Sequence, residues 1–243
     1  MTAYFFVLSV GLVAGCVSGV IGTGSSLMLL PVLVYAYGPK QAVPIMAVAA
    51  VLANIARVAV WWREVDWKAA AAYALPGALT AALGARTMLS LPPAVIDAML
   101  GLFFLAMLVL RRWRAGTGRR LRLRLREVSA AGAVIGFLTG LVLSTGPLSV
   151  PVFTAYGLTG GAFISTEAAS ALALYLSKVT TFRQLGALPA DTLLQGAIVG
   201  SSLMAGTYAG KAFVMRISPH AFSLMLDALM LCSGLSLLWA ATR

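Results

Sequence analysis

The stretch that decides the fold is GCVSGVIGTGSSLMLLP, Gly15 to Pro31. It starts inside a long apolar run, as a bilayer-crossing helix would, and then meets Gly22, Thr23, Gly24, Ser25 and Ser26. Lipid offers no partner to unpaired backbone groups, so a helix broken there must line a cavity or be buried in protein. A similar break, Ser144, Thr145 and Gly146 before another apolar run, follows about 120 residues later.

The surrounding composition gives the setting. Of the 243 residues, 60% are apolar and 10% charged, against about 25% charged in a soluble domain. Mean hydropathy is +0.94. Successive apolar runs approach the ~20 residues that a helix needs to cross a bilayer and are too continuous for barrel strands. These observations predict an all-α, polytopic membrane protein; a bacterial inner membrane is the expected setting.

The net charge of +11 is concentrated in RRWRAGTGRRLRLRLRE, Arg111 to Glu127, which holds eight of the eighteen basic residues. Between membrane segments such a run reads as a cytoplasmic loop under the positive-inside rule, with anionic lipid headgroups as its neighbours. Nucleic acid is not expected as a partner. Cys16 and Cys232 are far apart and show no metal or redox spacing. LVAGC at Leu12 to Cys16 looks like a lipoprotein cleavage site, but no Lys or Arg precedes it, so it reads as part of the fold.

The chain repeats itself. Gly11, Gly15 and Gly19 reappear as Gly132, Gly136 and Gly140 at a constant offset of 121. Pro31 matches Pro151, Tyr37-Gly38 matches Tyr156-Gly157, and Arg57 falls on Lys178. Gly84, Pro93 and Trp113 match Gly210, Pro219 and Trp239 at an offset of 126. The expected organisation is a first membrane repeat (1–110), a basic cytoplasmic loop (111–127) and a second repeat (128–243). Each repeat divides into five elements, at 3–21, 27–37, 42–62, 67–88 and 93–110, then 128–143, 148–157, 163–182, 190–211 and 219–241. The second element of each is too short to span ~30 Å at 1.5 Å per residue, and whether it crosses or re-enters stays open. Charge tallies do not separate four crossings from five; length favours five, and an odd number makes the repeats inverted, with both termini periplasmic. The glycines at every fourth position form a small-residue face for close packing, either between the halves or in a homodimer.

GLVAGCVSGVIGTGSSLMLLPVLVYAYG, followed by EVDWKAAAAYALPGALTAALGARTMLSLP, resembles the sulfite exporter TauE/SafE family, and GAVIGFLTGLVLSTGPLSVPVFTAYGL echoes it in the second half. The resemblance spans essentially the whole chain. It implies a secondary transporter, with export common, of small anions such as sulfite, sulfonates or related sulfur-containing organic acids. It implies neither catalysis nor a cofactor. Where the family usually carries a glycine run at the break, this chain has Ser25 and Ser26 in one copy and Leu143, Ser144 and Thr145 before Gly146 in the other.

A half-helix starting at mid-membrane aims free N–H groups and a positive dipole end at whatever occupies the cavity. Paired interrupted helices mark the substrate site in transporters built from repeats. The candidate anion-binding residues are therefore Gly22, Gly24, Ser25, Ser26, Ser144, Thr145 and Gly146. Arg57 and Lys178 join them; each would attract an anion, or else snorkel to the interface from its position near a helix end. Asp227, the acid deepest in a span, is the candidate for a coupling proton. Asp97 and Glu167 read as acids favouring a helix start, Asn54 and Tyr175 as polar groups of either cavity or core, and His220 as interfacial. Against a membrane-embedded enzyme, the sequence has no His-Glu-x-x-His helix, no clustered Cys and His and no Gly-x-Ser-x-Gly elbow. An anion channel remains the alternative to a carrier.

Overall fold

The computed structural model describes residues 2–21, 24–116, 122–141 and 146–213, with parts of 227–242. The described residues form helices joined by short turns and loops, without strands. Helix α1 (Thr2–Ile21) leads to the short α2 (Ser25–Tyr37), then α3 (Pro39–Trp61), α4 (Trp67–Ser90) and α5 (Pro93–Gly116). The second half continues with α6 (Leu125–Leu141), the short α7 (Gly146–Tyr156), α8 (Gly160–Gln184) and α9 (Ala190–Phe213). At 1.5 Å per residue α2 and α7 are only about 20 and 17 Å long, so the half-length second elements are real. Much of the expected 219–241 element, including His220, lies outside the described residues. One boundary differs. Helix α5 runs on to Gly116, into the stretch expected as loop, because Arg, Trp and Ala continue a helix readily.

Local chemistry sets the corners. Gly24 precedes α2 with φ of 108°, in the left-handed region where a side chain is strained; nothing lies within 4 Å of a Cβ placed there, so the demand is conformational and not one of space. Gly38, with φ of 75°, joins α2 to α3, whose first residue is Pro39, a position where the missing N–H costs nothing. Asp66 caps α4 by accepting from the Lys68 and Ala69 amides at 3.0 Å each.

The glycine faces pack internally. A Cβ on Gly15 or Gly19 would collide with the α9 backbone at Leu203 or Thr207, and one on Gly136 or Gly140 with the α4 backbone at Gly77 or Ala81. The two interfaces share one pattern: α1 positions shifted by 121 give α6, and α9 positions shifted back by 126 give α4. Each first helix therefore lies on the fourth helix of the other half, and both pairs run parallel. Between them α3 and α8 pack together, α3 also against α9 and α8 also against α4. Trp61 and Glu64 meet Gly161 at the start of α8, and Arg57 meets Glu167, so α3 and α8 run antiparallel.

Among the described residues one helix, Lys40–Glu64, is both long and apolar enough to cross a membrane by composition alone, with mean hydropathy 2.0. The others carry shorter apolar stretches because Ala, Gly, Ser and Thr occupy their inner faces. Their outer faces show the solvent they are built for. On α4, Gly77, Ala81 and Gly84 are buried, while Leu75 and Leu79 are 71% and 73% exposed. Small inside and large apolar outside is the arrangement of helices that pack tightly against each other and face lipid. Trp62 and Trp67 are exposed at the α3–α4 corner beside Arg63 and Lys68, where an interfacial aromatic belt would sit.

Candidate anion site between the two halves

The polar interior lies on the α3–α8 pair and the helices around it. Arg57, on α3, is 6% exposed. Its Nη1 donates to Glu167 Oε2 at 3.0 Å, and its Nη2 donates to Asn54 Oδ1. Asn54 is fixed in turn, donating to the Ala50 carbonyl at 2.7 Å. The other oxygen of Glu167 accepts from Ser149 Oγ at 3.0 Å. Ser149 lies in the first turn of α7, so the Glu167 carboxylate, 1% exposed, sits beside a helix start that favours negative charge. Tyr73, on α4, interacts electrostatically with Glu167 and Tyr175. Its ring lies against Phe153 with centroids 5.0 Å apart, and its buried hydroxyl has no hydrogen-bond partner among the described residues.

Lys178, the repeat counterpart of Arg57, is 1% exposed. Its Nζ donates to the Thr139 carbonyl at 2.6 Å, in the last turn of α6, where a cation suits the dipole, and lies 5.6 Å from the Phe182 ring centroid. No carboxylate among the described residues lies within ion-pair distance of it. Glu167 and Lys178 are eleven residues apart on one helix, about 16 Å along its axis. Arg57 and Lys178 are thus buried on different levels, and one small anion does not touch both. Neither snorkels.

The remaining candidates divide. Ser25 and Ser26 are buried in the first turn of α2, which Gly24 caps without a side-chain bond. Gly146 is the first residue of α7. Gly22, Ser144 and Thr145 lie outside the described residues, so the expected convergence of both breaks on one anion is not on view. Asp227 is half-buried and takes no part in the Arg57–Glu167–Ser149 or Lys178–Thr139 bonds. The acid bonded to Arg57 and Ser149 is Glu167, which the sequence suggested only as a helix-start residue. Its signal was available: a carboxylate inside a span is costly unless paired, and its counterpart at an offset of 121 is Met46. Ser149 carried no such signal. Two shallow apolar grooves open elsewhere, one between α1 and α9 beside Leu8, Leu12 and Ile198 and one along α5 beside Ala98 and Leu102; neither reaches Arg57 or Lys178.

The site is therefore two buried basic side chains, Arg57 paired with Glu167 and Lys178 with no carboxylate within ion-pair distance among the described residues. No curated protein and no solved structure matches the chain. The model of one protein family, described as sulfite exporter TauE/SafE, matches residues 7–237. Covering nearly the whole chain, that match makes the protein a member of the TauE/SafE family of integral membrane transporters.

Proposed function

We propose that this protein is a secondary transporter, working as an exporter, of a small sulfur-containing anion such as sulfite or an organic sulfonate, in the bacterial inner membrane. The observation that carries the reading is Lys178: a buried ammonium with a carbonyl and an aromatic face around it and no acid within ion-pair distance among the described residues. An uncompensated charge in a low-dielectric interior is costly, and a bound anion would compensate it. The breaks at Gly22, Gly24, Ser25 and Ser26 and at Ser144, Thr145 and Gly146 would offer backbone N–H and hydroxyl donors to the anion along its path.

The exchanged packing of α1 on α9 and α6 on α4, and the opposite running directions of α3 and α8, support an inverted repeat. In that arrangement the Arg57 level faces the side of the basic loop, the cytoplasm, and the Lys178 level the other side. An anion would move between two cation stations, one in each half, as the halves rock. The test is counterflow in proteoliposomes loaded with unlabelled sulfite or methanesulfonate. Wild-type protein should accumulate labelled anion with saturation, and Lys178→Met should lose at least about tenfold of that uptake, as the loss of one charge-assisted bond implies. Exchange by Lys178→Met at the wild-type rate, or non-saturating flux, would overturn the carrier reading built on this residue.

A further inference from the structure

We propose that Glu167 is a tethered competitor of the transported anion, and that its protonation is what frees Arg57 to bind that anion, so that one proton and one anion occupy this station together. The inference rests on the carrier reading above and names its coupling ion.

The geometry is a carboxylate held as a bound substrate anion would be held. One oxygen takes the Arg57 guanidinium at 3.0 Å, the other takes the Ser149 hydroxyl at 3.0 Å in the first turn of a half-length helix. Arginine and a helix start are two of the commonest ways to bind an oxyanion. At the matching level of the other half the acid is missing. Met46 stands 121 residues before Glu167, as Arg57 stands 121 residues before Lys178, so the acid has no counterpart at the matching position. The architecture therefore does not require the acid, and the ion pair is a property of one station only.

While Glu167 is ionised, an incoming anion meets like charge at Arg57, which disfavours its entry. A protonated Glu167 withdraws that charge and leaves the guanidinium facing the anion. The balance is simple: Glu167 gains one proton, the Arg57–Glu167 ion pair breaks, and an anion pairs with Arg57. Other groups facing Glu167 do not offer the same exchange. From α3 they are Arg57 and Asn54; from α7, Ser149; from α4, Tyr73; and along α8 itself, Tyr175 and the more distant Lys178. Glu64 and Asp66 lie nearer the start of α8, beside Gly161 and Thr166.

The experiment measures proton uptake and anion affinity together on purified protein in nanodiscs. The probe is methanesulfonate, whose charge is constant between pH 5 and pH 9, so any pH dependence belongs to the protein. In weakly buffered solution wild-type protein should take up about one proton per anion bound at this station, and affinity should fall about tenfold per pH unit wherever binding carries that proton uptake, the two being one linkage. Glu167→Gln should bind without proton uptake and with a flat pH profile. Ser149→Ala, a milder change, removes a donor to the ionised form and should move the profile up by about one pH unit. Wild-type binding without proton uptake, or the same uptake in Glu167→Gln, overturns the coupling and leaves the carrier reading standing. Failure of both proteins to bind any of methanesulfonate, sulfite or thiosulfate overturns the anion site and the coupling with it.

Discussion

Met46→Glu places an acid at the position that matches Glu167 and so tests whether Lys178 accepts the kind of ion pair that Arg57 already has. Met46 is buried on α3 at the position equivalent to Glu167. If a carboxylate there paired with Nζ at an ordinary ion-pair distance of about 4 Å, opposite charges in an effective dielectric of about 20 would attract by about 4 kcal/mol. Desolvating the new acid takes back part of this, leaving about 2–4 kcal/mol that a substrate anion must overcome. Anion affinity should accordingly fall about thirtyfold to a thousandfold. Met46→Gln is the control, since it has the shape of Glu without the charge. Binding is read by titration calorimetry in nanodiscs at pH 7.5, after size-exclusion chromatography has shown both variants to be folded. If Met46→Glu binds sulfite or methanesulfonate within about threefold of Met46→Gln, no anion competes for Lys178 and the cation station in that half is structural.

Two other outcomes test the frame. Gly136→Ala should destabilise the protein by about 1–3 kcal/mol in a detergent melting assay, because its methyl enters the Gly77 backbone across the α4–α6 interface; Gly15→Ala should do the same at α1–α9, and unchanged melting in both would refute the close packing. Membrane-impermeant thiol labelling from outside, on a background with Cys16 and Cys232 replaced, should reach a cysteine appended after Arg243 and not one at Gly116; labelling of both or of neither would refute the inverted arrangement, and the reverse pattern would refute the cytoplasmic basic loop.

What the sequence made legible was whatever repeats locally. The spacing of Gly11, Gly15 and Gly19 announces a face for close approach, and Gly24 and Gly38 announce corners, because these follow from one residue's own steric needs. The partner of that face is not legible. Nothing within α1 says that α9, starting at Ala190, will cover it. The same limit hid the centre of the site. Arg57 and Lys178 stand out as charges in apolar runs, yet whether a charge snorkels or turns inward depends on the helix beside it. Glu167 sits eight residues into α8, close enough to the start for a dipole role to explain it. Only the packing of α3 on α8 shows that it answers a residue 110 positions away. The basic stretch misled in a smaller way: charge read as loop, whereas Arg111 to Gly116 continues α5.

The crossed packing also sets the order of events on the ribosome. Helix α1 leaves the translocation machinery with its glycine face bare, and the helix that covers it begins about 170 residues later. At 5–20 residues per second that is a wait of roughly ten to thirty seconds, during which α1 has α2 beside it but lacks the partner of its glycine face. Helix α6, by contrast, finds α4 already in place. The second half is thus assembled on a finished template and the first half is closed retroactively, by α9. A chain truncated before α9 leaves α1 as an unclasped helix, a natural target for membrane quality-control proteases, whereas truncation after α9 removes only the last segment.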